Sequence, residues 1–316
     1  MIDRHSPSRF RFGYEMRTAD AAGVRDEARR AEAAGFDLFH SWDHVVDGWA
    51  PLAPLLSAAE ATTRLRVCPL VINNDFHHPV HLAREIASMD HLTDGRVELG
   101  IGAGHSFTEY DQIGQQFDPP AVRKARLRES VEILRRLLDG EEVDFDGEHY
   151  RLRTAKILRS RQERLPILVG VAGQAALAHA ARHADTIGLM GLGKTLPDGH
   201  QHEVRWGSER LDRTIAFIRD NTGSRSTPLE LNALVQVVTV TDDRRAAAEE
   251  LVTRSPSLNV EDALTTPFLA LGTHDEIAAH LVDCRRRWGI TNFSVRTIDD
   301  FEPVIERLRA DGARAE

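Results

Sequence analysis

Short apolar runs rich in Val, Ile, Leu and Phe alternate with amphipathic helical patterns along the whole chain. This alternation is typical of βαβ units around a parallel sheet. The pattern predicts eight strands, at 10–16, 36–41, 65–72, 96–101, 166–170, 185–190, 231–240 and 292–296. The predicted helices are 19–34, 51–61, 79–92, 122–138, 174–183, 206–221, 244–253, 274–288 and 301–310. Eight such units predict an α/β fold, a (β/α)8 TIM barrel that spans 1–316 as a single domain.

Three stretches interrupt the regular pattern and predict loop insertions in the barrel. Asp146-Gly147 lies between two short apolar runs, which indicates a hairpin between the fourth and fifth units. The stretches 191–204 and 255–271 are longer than ordinary connections and contain Gly, Pro and His. We expect them, together with 45–50, to form loops over the mouth of the barrel and to decide specificity.

Composition narrows the classes of partner. The 316 residues include 49 acidic and 40 basic side chains, interspersed, for a net charge of -9. This balance predicts no nucleic-acid face and no membrane anchor, and therefore a small-molecule substrate. The polar start and the lack of an 18-residue apolar run predict a cytoplasmic protein. Cys68 and Cys284 lie far apart, which predicts neither a disulfide nor a cysteine-based zinc site.

Two motifs match binding patterns by their letters but fail in context. GLMGLGKT at 188–195 matches a P-loop, yet Gly188 falls inside a predicted strand and Pro197 interrupts the helix that a P-loop lysine should open. A glycine-rich barrel loop that meets a ligand phosphate is the better interpretation. His77, His81 and Glu85 have the spacing of a metal face, but Pro79 is expected in the first helical turn, which leaves His77 outside the helix. We predict no metal.

Candidate chemistry lies at the predicted C-terminal ends of the strands, where barrel enzymes place it. His44 follows the second strand beside Asp43, a carboxylate able to fix its tautomer, and an imidazole suits proton transfer near neutral pH. A purely structural histidine is the alternative. The alternate glycines at 100–104 follow the fourth strand and would let a flat ring approach the backbone, although a simple tight turn explains them too. His105 stands where a dinucleotide-binding fingerprint needs its last glycine.

The turn at 170–174, with sequence GVAGQ, joins the fifth strand to a helix. Its backbone N–H groups and the start of that helix could bind a phosphate, and an ordinary strand-to-helix turn is the alternative.

These segments together resemble the luciferase-like monooxygenase superfamily. The resemblance is carried by Asp43-His44, LVINNDFHHP at 70–79, DGRVELGIGAG at 94–104 and PILVGVAG at 166–173, and it covers nearly the whole chain. The NNDFHHP run followed by LARE at 82–85 resembles the branch that uses coenzyme F420. One departure stands out: glucose-6-phosphate dehydrogenases of that branch carry a proton-donating Glu where this chain has His105, which argues against that substrate.

The resemblance implies which residues form the site. The deazaflavin would be lined by Asp43, Leu70, Val71, Asn73, Ala103, Gly104, Val171, Ala172 and Gly173, and its phosphate would meet the turn from Gly170 to Gln174. His44 would lie near the reactive carbon, and a cis peptide bond would fall at Leu70-Val71. His44 or His105 would supply the proton, with Glu109 and Tyr110 as further candidates to supply it or to position substrate.

The implied activity is hydride transfer between the deazaflavin and a small organic substrate, most simply reduction of an activated C=C or C=N. Alcohol oxidation would use the same geometry in reverse. An FMN-dependent monooxygenase on the same barrel is one alternative, and a non-catalytic deazaflavin-binding protein is another. The resemblance also implies a homodimer.

Overall fold

The computed structural model describes residues 9–18, 20–45, 48–195, 202–225, 227–255 and 257–315. The strands are β1 (Arg11–Glu15), β2 (Leu38–Ser41), β3 (Arg66–Pro69), β4 (Ile72–Asn73), β5 (Leu99–Gly102), β6 (Val143–Asp146), β7 (Arg151–Ala155), β8 (Ile167–Gly170), β9 (Thr186–Leu189), β10 (Leu192–Thr195), β11 (His202–Val204), β12 (Glu230–Leu234), β13 (Val237–Val240), β14 (Leu269–Gly272) and β15 (Asn292–Val295).

The helices are α1 (Ala21–Ala33), α2 (Leu52–Glu60), α3 (Pro79–Leu92), α4 (Phe107–Gln112), α5 (Pro120–Leu138), α6 (Gln174–His183), α7 (Ser208–Asp220), α8 (Arg244–Arg254), α9 (Val260–Thr265), α10 (His274–Trp288) and α11 (Glu302–Ala315), with a 3-10 helix at Asn74–Phe76. None of the described helices combines the length and the apolar content needed to cross a membrane.

Within the described residues, nine strands form one parallel sheet in the order β3-β2-β1-β15-β12-β9-β8-β5-β4. Its two end members, β3 and β4, are separated in the chain only by Leu70 and Val71, so the sheet closes on itself. Val67 of β3 also bridges Val97, just ahead of β5. The predicted TIM barrel is therefore confirmed, and the predicted strand at 65–72 is a single barrel position interrupted after Pro69.

The predicted boundaries are wrong on one side of the barrel. The strand expected at 231–240 is two strands, because only β12 stays in the barrel while β13 leaves it and pairs with β14. The loop expected at 255–271 contains α9 and most of β14. β14 has only four residues and α9 only six, so neither carries enough hydrophobic periodicity to be recognised in the sequence.

The insertions are hairpins. β6 and β7 pair antiparallel around the predicted turn at Asp146-Gly147, which confirms that prediction. β10 and β11 pair antiparallel within the stretch 191–204, whose residues 196–201 lie outside the described part of the chain. Of the predicted loop 45–50, residues 46 and 47 also lie outside it.

Polar and apolar side chains fill the barrel beneath its C-terminal mouth. At the start of β1, Arg11 donates to Glu98, with 2.5 Å between Nη2 and Oε1. Higher up, His40 Nδ1 donates to the Cys68 carbonyl at 2.9 Å and Nε2 accepts from the Ser294 hydroxyl at 3.1 Å. A buried apolar cluster lies nearer the mouth and comprises Leu70, Leu168 and Leu234. The filled interior leaves the C-terminal rim as the place for a site.

Candidate active site

A cavity of about 770 Å³ opens at the C-terminal end of the barrel. The segments after β2, β3, β5 and β8 contribute to it, as do α5 and α7. Its wall contains these residues suggested by the sequence: Asp43, His44, Leu70, Val71, Asn73, Ala103, Gly104, His105, Glu109, Gly170, Val171, Ala172, Gly173 and Gln174. Tyr110 lies behind the wall, because it is buried and its hydroxyl donates to Asp75 at 3.0 Å. Parallel strands explain this convergence, because their carboxyl ends meet at one rim.

The bulge between β3 and β4 forms part of the cavity wall. The Leu70–Val71 peptide bond is cis, as the family resemblance implies. Asp43 ties this bulge to the end of β2, because its Oδ2 accepts a hydrogen bond of 2.8 Å from the Asn73 backbone N–H. The same oxygen lies 3.2 Å from Nε2 of His77. Asp43 thus holds the segment that carries Leu70 and Val71.

The glycines at the end of β5 and just after it allow protein segments to pack closely. A Cβ on Gly102 would lie 2.8 Å from Val71 Cγ2. Gly104 has a φ of 70°, and a Cβ there would overlap the Tyr110 hydroxyl. The glycine spacing therefore serves the packing of β5 against the bulge and against α4, and Gly102 and Gly104 also line the cavity.

A hydrogen-bonded histidine and carboxylate stand at the cavity. His44 Nδ1 lies 2.8 Å from Oε1 of Glu109, which is on α4, and the side chains are 39% and 6% exposed respectively. The second Glu109 oxygen accepts from the Val45 backbone N–H at 3.3 Å. Since an ionised carboxylate only accepts, Nδ1 carries the proton and Nε2 remains for a ligand.

The sequence suggested Asp43 as the carboxylate that fixes the His44 tautomer, and this is wrong. Asp43 faces Asn73 and His77 instead, while Glu109 makes the contact with His44. A second histidine is close by, because the His105 ring packs edge-on to the His44 ring with 5.5 Å between centroids.

The start of α6 offers a cradle for an anion. Its N-cap residue is Gly173, with a φ of 93°, and no side chain of the described residues caps the first turn. Lys124 Nζ lies 3.3 Å from the position that a Cβ on Gly173 would take. Burial, reinforced by the neighbouring Arg123, lowers the pKa of Lys124. Uncapped backbone N–H groups beside a half-buried ammonium group are a favourable setting for a phosphate.

A family model for luciferase-like monooxygenases matches residues 5–260. The chain belongs to this family.

One relative of this luciferase-like protein is the F420-dependent glucose-6-phosphate dehydrogenase of Amycolatopsis mediterranei. The two are 32% identical over 216 residues, which cover 64% of this chain and 65% of the relative. The match thus spans slightly less than two thirds of that protein.

Two solved structures share the fold. The coenzyme F420-dependent tetrahydromethanopterin reductase from Methanopyrus kandleri has a TM-score of 0.72 at 18% identity, with 95% of this chain and 97% of that chain covered. The monooxygenase RslO1 from Streptomyces bottropensis has a TM-score of 0.70 at 22% identity, with 95% and 98% covered. At these identities the likeness shows the luciferase-like barrel alone, which serves both a reductase and a monooxygenase.

The P-loop-like motif and the histidine motif near α3 both lie in ordinary elements of this luciferase-like barrel. Gly188 lies in β9, whereas Lys194 and Thr195 lie in β10, so the lysine does not open a helix as a P-loop requires. α3 begins at Pro79, so His77 precedes it and contacts Asp43. Within the described ranges, no three His, Cys, Asp or Glu side chains group in a way that could hold a metal ion.

The cavity of this luciferase-like protein also has a basic side that sequence reasoning missed. α5 contributes Arg123 and Lys124, and the segment leading into and through α7 contributes Arg205, Arg210, Arg213, Thr214 and Phe217. Both helices have the ordinary pattern of barrel helices. The recurrence of Arg at 210 and 213 was the available signal, because it places two cations on one helical face.

Proposed function

We propose that this protein is an oxidoreductase that binds coenzyme F420 and transfers a hydride between the deazaflavin and a small organic substrate. Reduction of an activated C=C or C=N is the simplest such reaction. The observation that carries the proposal is one cavity that joins the bulge at Leu70–Val71, the His44–Glu109 pair and the cradle at Gly173. The name of the Amycolatopsis relative supports the choice of cofactor.

The residues present fit such a cofactor. Leu70, Val71 and Val171 line the cavity and give it an apolar wall on which a flat ring could lie. The turn that ends at Gly173, together with Lys124, would hold the phosphate. The apolar wall thus matches the ring of a phosphorylated flavin-like molecule, and the cationic cradle matches its phosphate.

A deazaflavin supplies hydride chemistry when bound, because carbon replaces the flavin N5. In a reduction, hydride transfer to the electron-poor carbon would shift the π electrons to the neighbouring atom, which would then take a proton. We assign this proton to Nε2 of His44 in its imidazolium form, which would be left as the neutral ring with its proton on Nδ1. Glu109 accepts from Nδ1 and stabilises both the orientation and the positive charge of that ring. His105 is the alternative donor, since its ring packs against that of His44.

The residue type at position 105 indicates which substrates the site can use. In the glucose-6-phosphate dehydrogenases that the sequence resembles, this position carries a glutamate. We therefore propose a substrate other than glucose 6-phosphate, despite the name of the relative. FMN-dependent oxygenation and cofactor binding without catalysis are the competing functions.

The first test is a fluorescence titration of the purified protein with oxidised coenzyme F420 and, separately, with FMN. A leucine at Gly170 should fill the cavity and abolish binding, whereas Ala246→Leu should not, because Ala246 is an exposed residue of α8 outside the cavity. Thermal unfolding of both variants checks that they fold. Binding of coenzyme F420 in preference to FMN, lost only in Gly170→Leu, supports the proposal.

Preference for FMN would overturn the proposed cofactor and favour an oxygen-using enzyme. If coenzyme F420 binds, an anaerobic screen of enones, imines and alcohols should show substrate-dependent change of the deazaflavin absorbance. No turnover with any of them would favour the non-catalytic alternative.

A further inference from the structure

The charge of the cavity differs from that of the whole chain. The protein carries a net charge of -9. Of the described residues that line its cavity, in contrast, five are Lys or Arg and only two are carboxylates, namely Arg123, Lys124, Arg205, Arg210 and Arg213 against Asp43 and Glu109. A local excess of positive charge in an acidic protein favours an anionic occupant.

Two of these cations already have a place in the site. The Arg123 guanidinium donates to the Ala103 carbonyl oxygen at 3.2 Å, so it supports the turn after β5. Lys124 stands at the cradle by Gly173, where one phosphate accounts for it. Both carboxylates face histidines, Asp43 towards His77 and Glu109 towards His44. The remaining charge is therefore that of three arginines, which we call the basic wall: Arg205, Arg210 and Arg213.

The basic wall extends along α7. Arg210, Arg213, Thr214 and Phe217 all line the cavity, and the rise from the first to the last is about 10 Å for seven residues of α-helix. Arg205 is fixed at one end, because its backbone N–H donates to the Gly191 carbonyl oxygen at 2.7 Å. A wall of this length exceeds what a single phosphate needs.

The side chains of the basic wall are available to a ligand. Arg213 lies 3.7 Å from Glu209 with both side chains largely exposed, and Arg205 lies 3.3 Å from Glu203 with both side chains less than half exposed. Exposed pairs of this kind contribute little and exchange readily. Within the described part of the chain, Arg210 has no ion-pair partner.

We propose that the basic wall binds an acidic chain that extends beyond the phosphate of the bound cofactor. This inference rests on the proposed function. Coenzyme F420 carries glutamyl residues beyond its phosphate, whereas FMN ends at the phosphate. The wall accordingly favours the deazaflavin over FMN through carboxylates that contact neither the ring nor the cradle.

The test compares coenzyme F420 with long and short glutamyl tails, and FMN, as ligands of the wild type and of the double variant Arg210→Gln/Arg213→Gln. Fluorescence titration at low and at high salt gives the dissociation constants. We expect the double variant to lose about 3- to 30-fold in affinity for the long-tailed cofactor and to show a weaker salt dependence. Arg219→Gln, on the same helix outside the cavity, is the matched control.

Equal affinity of the wild type for long and short tails would overturn the inference and leave the proposed cofactor intact. Equal losses for FMN and for coenzyme F420 in the double variant would also overturn it, because the arginines would then act on the phosphate. No binding of coenzyme F420 by the wild type would instead contradict the proposed function itself.

Discussion

Replacing Lys124 by Met tests the phosphate cradle without touching the ring site. The substitution keeps the length of the side chain and removes the charge. Nζ lies 3.3 Å from the Cβ position of Gly173 at the uncapped start of α6, so a phosphate there would lie within hydrogen-bonding range. A charge-assisted hydrogen bond is worth about 1.5–3 kcal/mol, and because Lys124 is only half-buried we take the lower figure. This corresponds to about a tenfold rise in Kd.

The assay is fluorescence titration with coenzyme F420 and with the deazaflavin fragment that lacks the phosphate and tail. Only the phosphorylated ligand should lose affinity in Lys124→Met. Lys156→Met removes an exposed lysine outside the cavity and should leave both constants unchanged. An equal loss for the two ligands would show that Lys124 shapes the ring site. An unchanged Kd for the phosphorylated ligand would show that Lys124 does not bind the phosphate.

Three further predictions concern the histidines. His44→Ala should lower turnover of a substrate found by screening by about 100-fold while the cofactor Kd stays constant, and an undiminished rate would exclude His44 as proton donor. In Glu109→Gln, the amide NH2 must face either His44 Nδ1 or the Val45 N–H, because the carboxylate oxygens contact both. Turnover should therefore fall about tenfold, and 15N NMR of the ring should show a mixture of His44 tautomers. An unchanged spectrum would contradict the contact between Glu109 and His44. Burial lowers the pKa of His40 from 6.5 to about 4, so the unfolded chain binds the extra proton and stability should fall by about 3 kcal/mol as pH drops from 6.5 to 4. Urea unfolding across this range should show a shallower pH dependence in His40→Gln, and an identical slope would refute the assignment.

The convergence of the strand ends could be predicted from the sequence. Asp43-His44 and the turn ending at Gly173 each follow a short apolar run, and closing the runs into a barrel brings them to one rim. This step needs no knowledge of which distant residues touch, because the topology of a parallel barrel brings the carboxyl ends of all its strands to the same side. Most of the candidate residues therefore surround one cavity even where the predicted strand boundaries are wrong.

The partners of those residues could not be predicted in the same way. Glu109 is 65 residues from His44 and lies on a helix of six residues, which is too short to show a helical period. Asp43 was the nearer carboxylate in sequence, but adjacent residues on an extended segment point in different directions, and Asp43 turns towards Asn73. Sequence neighbours and spatial neighbours differ most where a short helix packs over a strand end.

The basic wall illustrates a second limit. Helical periodicity shows which face of α7 packs inward, through Leu211, Ile215 and Ile218, but it does not show how far the rim of that face overhangs the barrel mouth. Arg210 and Arg213 border the buried face and look like solvated residues in the sequence alone. Only the packing of α7 beside α6 turns them into the side of a cavity.

The arrangement separates binding from chemistry by placing them on different elements. The His44–Glu109 pair joins the segment after β2 to α4, the cradle joins α6 to Lys124 on α5, and the basic wall belongs to α7 and the segment before it. Groups on separate elements without shared partners tend to contribute independently. Under the proposed function, the cations on the α5, α6 and α7 side would set the choice of cofactor, while the histidine side would set the choice of substrate. Changes on one side would then leave the other largely unaffected.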